Sequence, residues 1–464
     1  MPSIIDERTA YRVITHHLDK NFSEEEKSAG YQTEYKVEKD NRSFLLDIYL
    51  GKGCKGLKLP PNSAIEIKSR IVSNTISNLQ YVYDIAKLSK LLVIILDEGF
   101  SSTKMQPVNS PLVSRKIELL SLKEFIGRGK TESAVFFNFS RGKDVAEKEL
   151  KSILERAKFA INNGRYSLFL GAGVSTSAGL PGWNELLKKL IDEAKKDTRF
   201  HIDSADFDNI ERYPYINYSP LIVARYINEY LNNKYTNLVD LADGEDLKKT
   251  KQRYLATKIK EILYKKDKNE SNLLIKALAD MIRTKQPESV ITYNYDDLLE
   301  ERLKEISVPF VTLVEDTRSF EFSVPIYHVH GFVGKDTSKG DNPILNEADY
   351  HAEYQESYLW ANIEQMHALN RSTCFFVGLS MTDPNLRRLL DISKRMGDDS
   401  ICHYAFMKKE KLTDCPFAKE KNEENIALYE KMMNNMGVYV IWYDKHDDLP
   451  SILRSLFPNK ICKA

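Results

Sequence analysis

The loop YSLFLGAGVSTSAGLPGW, residues 166–183, offers backbone rather than side chains for chemistry. Its apolar run ends in the tripeptide GAG (171–173), and hydroxyl side chains follow at Ser175 and Thr176. Glycines let a ligand approach the backbone closely, and N–H groups at the start of a helix bind phosphate. The loop lacks the G-x-G-x-x-G spacing of ordinary dehydrogenases. It predicts a phosphate-binding turn after a strand, and the alternative is a tight turn that binds no ligand.

A second group of chemically active residues lies in AIEIKS and on the apolar segment before it. Glu66 and Lys68 are two residues apart on a predicted strand, so they point to one face, which Asp47 can reach from the preceding strand. This pattern resembles the PD-(D/E)XK nuclease fold, in which carboxylates bind Mg²⁺ and a lysine stabilises charge on a phosphate. The resemblance makes Asp47 and Glu66 metal ligands with Lys68 as their partner, supported by Gln80 and Tyr83. The alternatives are a salt-bridged exposed strand face, or a nuclease fold kept as a recognition module.

Short apolar segments must position these residues. In the first part of the chain the pattern predicts a helix at 3–20, strands at 44–50 and 64–69, a helix at 75–90 and a buried strand at LLVIILD. Six strand-like segments follow the glycine loop: ESVITYN, VPFVTLVED, PIYHVH, TCFFVGLS, ICHYAFM and GVYVIWY. Helical or loop segments separate them, which predicts a mostly parallel sheet covered on both faces, preceded by a smaller α/β domain.

Length and composition narrow the class of protein. A chain of 464 residues predicts two or three domains, and the balance of 67 Lys and Arg with 67 Asp and Glu gives no net charge to attract DNA or a membrane. No apolar run approaches the roughly 20 residues of a membrane span, and the N-terminus does not read as a secretion signal. The five cysteines form no CxxC pair, which is typical of reduced thiols and offers no zinc framework. We expect a cytoplasmic protein without zinc.

Four motifs in the second part of the chain occur in a fixed order, each beside a predicted strand: GAGVSTSAGLPGW, ITYNYDDLLE, HVHG and VGLSMTDPNLRRLL. Together they resemble the sirtuin family and, more closely, its bacterial NAD-consuming defence effectors, over about residues 157–455. The resemblance implies a Rossmann-type parallel sheet that binds NAD⁺. It assigns contacts with NAD⁺ to Gly171, Ala172, Gly173, Ser175, Gly179, Asp296, Gly378, Ser380 and Asp383. Among them, Asp296 matches the residue that contacts the nicotinamide carboxamide, and Asp383 is expected to shape the adenosine end.

The same resemblance assigns catalysis to Asn294 and His330. Asn294 matches the residue that positions a water or ribose hydroxyl below the reacting ribose carbon, and His330 matches the catalytic histidine. Cleavage of this bond develops oxocarbenium character, so the site needs a held nucleophile and a base with a pKa near neutrality. The alternative is that both residues are hydrogen bonders at strand ends. His328 shares a predicted strand face with His330, and we expect it to pack or to support the site.

Two departures from protein-deacylating sirtuins are present. The four-cysteine zinc module is absent, and the family's Pro-Asp-Phe-Arg stretch reads Pro181-Gly182-Trp183-Asn184. A helical insertion at about 190–286 stands where the zinc module would be. These departures put an acyl-lysine channel in doubt and favour NAD hydrolysis, whose second substrate is water.

The sequence thus predicts three parts: a nuclease-like α/β domain at 1–140, a linker helix at 141–156 and a sirtuin-like domain at 157–464. The resemblance predicts an NAD⁺ glycohydrolase that releases nicotinamide and ADP-ribose as the toxic effector of bacterial antiphage defence. Control is expected from a regulatory or sensor protein, from a homo-oligomer or from the first domain. We expect the first domain to contribute mainly recognition and assembly, with at most weak Mg²⁺-dependent cleavage, and nucleic acid is its one candidate ligand. The alternatives are a metal-dependent nuclease with a regulatory NAD-binding module, and a non-catalytic scaffold.

Overall fold

The computed structural model describes part of the chain: residues 7–39, 42–68, 75–96, 117–128, 143–196, 224–225, 247–265, 272–314, 323–335, 343–344, 359–396, 401–409 and 418–457. It divides the chain into two units. Unit 1 comprises 1–163, 396–402 and 411–439, and unit 2 comprises 164–395, 403–410 and 440–464. The helix predicted as a linker at 141–156 therefore groups with unit 1, and unit 2 begins at Gly164.

Unit 1 contains a five-stranded sheet. Its strands are β1 Gln32–Lys39, β2 Arg42–Leu50, β3 Ser63–Lys68, β4 Lys90–Ile95 and β5 Ile117–Ser121. They lie in chain order; the first two pairs are antiparallel and the last two are parallel. The helices before unit 2 are α1 Glu7–Asn21, α2 Glu24–Ala29, α3 Thr75–Ile85, α4 Leu122–Ile126 and α5 Lys143–Asn163. This mixed α/β order agrees with the predicted pattern and adds β1 and β5, which the pattern does not predict.

The sheet of unit 1 is buried on both faces. Ile65 and Ile67 of β3 pack in one cluster with α1, whereas Ala64 packs in another with Leu79 of α3. Alternate residues of a strand point to opposite faces, so the period of two in AIEIKS produces both contacts. The predicted helix at 75–90 ends early, at Ile85, because Lys87 adopts a left-handed backbone (φ 50°) that turns the chain into β4.

Unit 2 is built on a seven-stranded sheet. Its strands are β6 Tyr166–Leu170, β7 Ser289–Thr292, β8 Phe310–Leu313, β9 Val324–His328, β10 Thr373–Val377, β11 His403–Lys408 and β12 Val438–Tyr443, in the order β12-β11-β10-β6-β7-β9-β8. The pairs β11–β10, β10–β6, β6–β7, β7–β9 and β9–β8 are parallel. Its helices are α6 Ala172–Thr176, α7 Trp183–Lys196, α8 Leu247–Tyr264, α9 Leu273–Thr284, α10 Leu298–Glu305, α11 Trp360–Arg371, α12 Pro384–Met396 and α14 Leu449–Ser455. The helix between the last two, α13 Ala418–Asn435, groups with unit 1. The predicted parallel sheet is confirmed.

The strand order places a reversal between β6 and β10. From the central β6 the chain adds β7, β8 and β9 on one side, and it then crosses to β10, β11 and β12 on the other. In sheets of this Rossmann type, ligands bind beyond the carboxyl ends of the strands where the order reverses. The glycine loop follows β6 and therefore begins at this point.

The helical insertion predicted at 190–286 includes the end of α7 and all of α8 and α9. Residues 197–223, 226–246 and 266–271 of the insertion lie outside the described residues. Within the ranges that the structure describes, no helix has both the length and the apolar character that a membrane crossing requires.

Candidate active site of unit 2 and charged cluster of unit 1

Two glycine-containing loops interlock beyond β6 and β10. The Gly171 N–H donates to the Val377 carbonyl (3.0 Å), and the Gly173 N–H donates to the Gly378 carbonyl (2.9 Å). A Cβ atom on Gly171 would lie 2.6 Å from the Gly378 oxygen, and one on Gly173 would lie 2.8 Å from the Gly378 Cα. The sequence pattern explains these glycines by the approach of a pyrophosphate. The structure gives another reason for glycine at both positions, because a larger residue would prevent the two loops from crossing.

The rest of the first loop forms α6 and a turn. Ala172 is exposed at the start of α6, and Gly179 has a φ of +87° with open space around its Cβ position. Glycine at 179 is therefore required by its backbone conformation rather than by a close contact. In the second loop, Ser380 is exposed and its hydroxyl lies 2.6 Å from that of Thr382.

Asn294 lies just beyond β7 and bonds to the glycine loop. Its Nδ2 donates to the Gly171 carbonyl at 3.0 Å, and its backbone N–H donates to the Thr292 hydroxyl at 3.1 Å. With Nδ2 engaged in this way, Oδ1 is the amide atom that can accept a hydrogen bond from a water or a ribose hydroxyl.

Asp296 and Ser175, both predicted NAD⁺ contacts, bond to each other. The Ser175 hydroxyl donates to Asp296 Oδ2 at 2.6 Å, and the Leu298 N–H donates to Asp296 Oδ1 at 3.2 Å. Burial raises the pKa of Asp296, and the Ser175 hydrogen bond partly offsets this effect. Asp296 thus joins the glycine loop to the first turn of α10.

His328 is the last residue of β9, and His330 lies in the turn that follows. The prediction that the two share a strand face is therefore wrong, because the strand ends between them. His328 Nδ1 lies 2.9 Å from the Asn294 carbonyl oxygen, and Nε2 lies 2.7 Å from Glu300 Oε1. Burial alone would lower the pKa of His328, but the Glu300 carboxylate raises it. Both ring nitrogens face oxygen acceptors, so the protonated ring can donate to both and hold the backbone that carries Asn294.

His330 is buried among neutral and acidic groups. The ring of Tyr293 meets it edge-on with centroids 4.6 Å apart, and Asp383 Oδ2 lies 3.9 Å from its Nε2. Burial lowers the pKa of His330, and the Asp383 charge opposes that shift only in part. The imidazole is therefore neutral near pH 7 and able to accept a proton.

Asp383 lies beside His330, whereas the sequence pattern assigns it to the adenosine end of the site. Its Oδ1 accepts the Leu386 N–H at 2.7 Å and so caps the first turn of α12. Its other oxygen is too far from His330 for a hydrogen bond, but it acts on the imidazole through its charge.

Several supporting residues escape the sequence pattern. Tyr293 donates its hydroxyl proton to Gln365 of α11, which holds the ring against His330. Tyr264 of α8 lies 2.8 Å from Asp297 Oδ1, which ties the helical insertion to the ITYNYDDLLE motif. The quoted motif contains Asp297 and Glu300, but nothing in the sequence indicates their partners.

In unit 1 the three predicted residues come together. The Ile67 N–H donates to Asp47 Oδ2 (2.7 Å), the Asp47 N–H donates to Glu66 Oε1 (3.1 Å), and Lys68 Nζ lies 2.9 Å from Glu66 Oε2. Glu66 is 5% exposed, so the alternative of an exposed strand face is wrong. Burial raises the pKa of Glu66, as does the Asp47 charge, while Lys68 acts in the opposite direction.

Two predicted supporting residues of unit 1 have other partners, and an unpredicted arginine joins the cluster. Gln80 bonds to Asp84 on its own helix (3.2 Å), and Tyr83 packs in the apolar core. Arg156 of α5 forms ion pairs with Asp47 and Glu34. Burial raises the pKa of Glu34 to about 7, although the Arg156 guanidinium lowers it. Across the described ranges, no three His, Cys, Asp or Glu side chains are grouped so as to hold a metal ion.

The sheet order and its reversal at the glycine loop define unit 2 as a Rossmann-type α/β domain. Residues 288–430 match the family model described as a SIR2-like domain. The chain is 24% identical over 323 residues to "NAD(+) hydrolase ThsA" of Enterococcus faecium, which covers 66% of this chain and 58% of that protein. It is 22% identical over 320 residues to the protein of the same name from Cytobacillus dafuensis, covering 66% and 55%.

A third relative is "Defense-associated sirtuin 2" of Bacillus subtilis, 26% identical over 255 residues that cover 54% of this chain and 21% of that protein. The chain thus spans a little over half the length of the two NAD(+) hydrolases that it matches.

Proposed function

We propose that unit 2 hydrolyses NAD⁺ at the bond between nicotinamide and ribose and releases nicotinamide and ADP-ribose. The observation that carries this proposal is the buried His330, whose pKa is lowered by burial, on the turn after β9, a strand that pairs with the one whose end carries Asn294. The two relatives named NAD(+) hydrolase support the same reaction.

The interlocked loops are the surface on which we propose that the dinucleotide binds. They lie where the strand order reverses, and Ala172 and Ser380 are exposed there. The Gly173 N–H is already bonded to Gly378, so we assign the pyrophosphate contacts to other groups of the α6 turn. The hydrogen bond between Ser175 and Asp296 stabilises the α6 turn.

Proton transfer is the step for which the site residues are suited. The Asn294 amide oxygen orients a water, and His330 removes its proton as it attacks the ribose carbon. Cleavage of a glycosidic bond passes through an oxocarbenium-like state, which a nearby carboxylate stabilises. We assign that effect to Asp383, whose charge also opposes the lowering of the His330 pKa by burial.

Glu300 and His328 act on the reaction through Asn294. Their side chains are buried 2.7 Å apart, and His328 Nδ1 lies 2.9 Å from the backbone carbonyl oxygen of Asn294. Because Asn294 Nδ2 also donates to the Gly171 carbonyl, Asn294 is held at both its backbone and its side chain. We assign Glu300 and His328 a positioning role.

We further propose that the protein neither deacylates lysine nor requires zinc, because the chain has no CxxC pair and Pro181-Gly182-Trp183-Asn184 replaces the charged stretch of deacylases. Trp183 starts α7 and lies 6.3 Å, ring to ring, from Tyr295. Release of acetyl groups from lysine peptides, or stoichiometric zinc in the purified protein, would contradict this.

The experiment that tests the activity is NAD⁺ turnover by the purified full chain, with and without phage-infected cell extract as the source of an activator. We expect nicotinamide and ADP-ribose, and no turnover by His330→Ala. Mg²⁺-dependent nucleic-acid cleavage with NAD⁺ bound but not consumed would indicate the regulated nuclease instead. Absence of both activities would indicate the scaffold.

We propose that the biological role is antiphage defence by NAD⁺ depletion in the cytoplasm. One relative carries the name of a defence-associated sirtuin. Activity must be restrained in healthy cells, and we assign that restraint to unit 1, to self-association or to a regulatory protein. Phage plating on cells that carry wild type or His330→Ala tests this role, and equal protection by both would contradict it.

A further inference from the structure

Three carboxylates of unit 1 lie in one row across neighbouring strands. Asp47 of β2 faces Glu34 of β1, between the pairs Thr33–Ile48 and Tyr35–Leu46. On its other side Asp47 faces Glu66 of β3, directly after the pair Ile48–Ile65. Such a row on adjacent strands is the arrangement in which a PD-(D/E)XK nuclease would bind Mg²⁺.

The oxygens of both predicted metal ligands already accept hydrogen bonds from the protein. Asp47 accepts from the Ile67 N–H at one oxygen and from Arg156 at the other. Glu66 accepts from the Asp47 N–H at one oxygen and from Lys68 at the other. The carboxylates thus replace the backbone pairing where the β2–β3 ladder ends, and each is neutralised by a cation.

Arg156 reaches the row from α5, and β1 is deformed towards it. Its guanidinium contacts Glu34 and Asp47 together, and the Ser152 hydroxyl adds a bond to Glu34 at 3.1 Å. Glu34 has a φ of +52° inside a strand, a left-handed conformation that is costly for a residue other than glycine. Its side chain is only 5% exposed, so a strained backbone delivers a buried carboxylate to the arginine.

A divalent cation does not fit this arrangement. Mg²⁺ needs oxygen ligands in near-octahedral geometry, whereas a guanidinium offers only N–H donors and repels the ion. We propose that Arg156 takes the place of the catalytic cation in unit 1, so that the nuclease-like sheet binds α5 instead of cleaving nucleic acid.

The test measures Mn²⁺ binding to the full chain by electron paramagnetic resonance, for wild type and Arg156→Gln. We expect no sub-millimolar site in wild type and one such site in Arg156→Gln, which Asp47→Asn then removes. Arg128→Gln is the matched control, because it removes an arginine from a single carboxylate, Glu118, that keeps Lys90. It should create no site.

Melting curves of the same proteins provide the second measurement. Arg156→Gln should lower the melting temperature by several degrees, and Mn²⁺ should restore it, whereas wild type should not respond to Mn²⁺ or to chelator. A wild-type Mn²⁺ site lost in Asp47→Asn would overturn the proposal, as would a folded Arg156→Gln that gains no site. If Arg156→Gln does not fold, absence of the site in wild type supports the proposal and its presence overturns it.

Discussion

Each unit gathers polar side chains at a sheet, but the two handle charge in opposite ways. In unit 1 the buried carboxylates Asp47 and Glu66 each accept from a backbone N–H and from a cationic side chain. In unit 2, burial lowers the pKa of His330, and the Asn294 amide nitrogen donates to the Gly171 carbonyl. A network in which each carboxylate already meets a cation resists further ligands, whereas a buried histidine whose pKa is lowered is suited to accept a proton. We therefore propose a structural role for the cluster of unit 1 and a chemical role for the site of unit 2.

The largest expected effect is loss of the base in unit 2. His330→Ala should reduce NAD⁺ turnover on the order of 10²–10⁴-fold, since a general base typically contributes that much. Binding of NAD⁺, measured by calorimetry, should persist. His367→Ala is the matched control, because His367 is exposed on α11. Equal turnover by wild type and His330→Ala would show that His330 is not the general base.

The buried ion pair of unit 2 gives the next effect. Glu300→Gln should destabilise the protein by up to about 3–5 kcal/mol, the cost of breaking a buried pair, and should lower kcat more than it changes KM. Glu305→Gln on the same helix removes only an exposed pair, worth about 0–1 kcal/mol. If both variants melt alike, the Glu300–His328 pair does not stabilise the site.

The same pair predicts a pH dependence of stability. Glu300 raises the pKa of His328 above its ordinary value of 6.5, so the folded state binds the proton more tightly. Its stabilising contribution is complete below pH 6.5 and is lost as the pH rises through the raised pKa. Melting temperatures of wild type and Glu300→Gln across this range should therefore converge as the pH increases. Parallel curves would contradict the assigned ion pair.

The interlocked loops predict a smaller effect. Gly173→Ala would bring a Cβ to 2.8 Å from Gly378 Cα and should cost about 1–3 kcal/mol of stability, as overpacking does, with reduced turnover. Gly182→Ala is the matched control, because its Cβ would lie 3.4 Å from a Thr176 methyl group. If Gly173→Ala has the same melting temperature and NAD⁺ turnover as Gly182→Ala, the close contact between the two loops is not needed for stability or activity.

Asp383→Asn should give the smallest change. The Asp383 charge raises the pKa of His330 against the effect of burial, so its removal should shift the acidic limb of kcat/KM to lower pH. The asparagine oxygen can still cap α12, and Asp391→Asn on the exposed side of that helix is the control. An unchanged pH profile of kcat/KM would show that the Asp383 charge does not affect the pKa of His330.

The order of apolar and polar residues in the sequence predicts many of the strands, because a run of apolar residues indicates a buried segment. The segments of β4, β6 and β10 each contain a run of three or more apolar residues that is buried in a strand. β1 escapes prediction because TEYKVEK is rich in charged residues, as expected for an edge strand. The end of β9 is also invisible, since PIYHVH continues the alternation past His328 although the backbone turns there.

Partners distant in the chain set the limit of prediction for the sites. Asp47, Glu66 and Lys68 can be grouped because they lie on consecutive strands, but Arg156 and Glu34 are 122 positions apart. The glycines of the two loops can be found as motifs. Their mutual contact depends on β6 and β10 being neighbours, which local patterns do not encode.

The most direct test of the central claim follows the oxygen that enters the product. The purified full chain is activated with phage-infected cell extract and incubated with NAD⁺ in water enriched in the heavy oxygen isotope, with extract alone as the control, and the products are analysed by mass spectrometry. If Asn294 and His330 direct water to the ribose carbon, ADP-ribose carries the heavy oxygen at that carbon, nicotinamide carries none, and His330→Ala forms neither product at a comparable rate. Unlabelled ADP-ribose, NAD⁺ that remains intact with wild type, or equal product formation by His330→Ala would contradict the account.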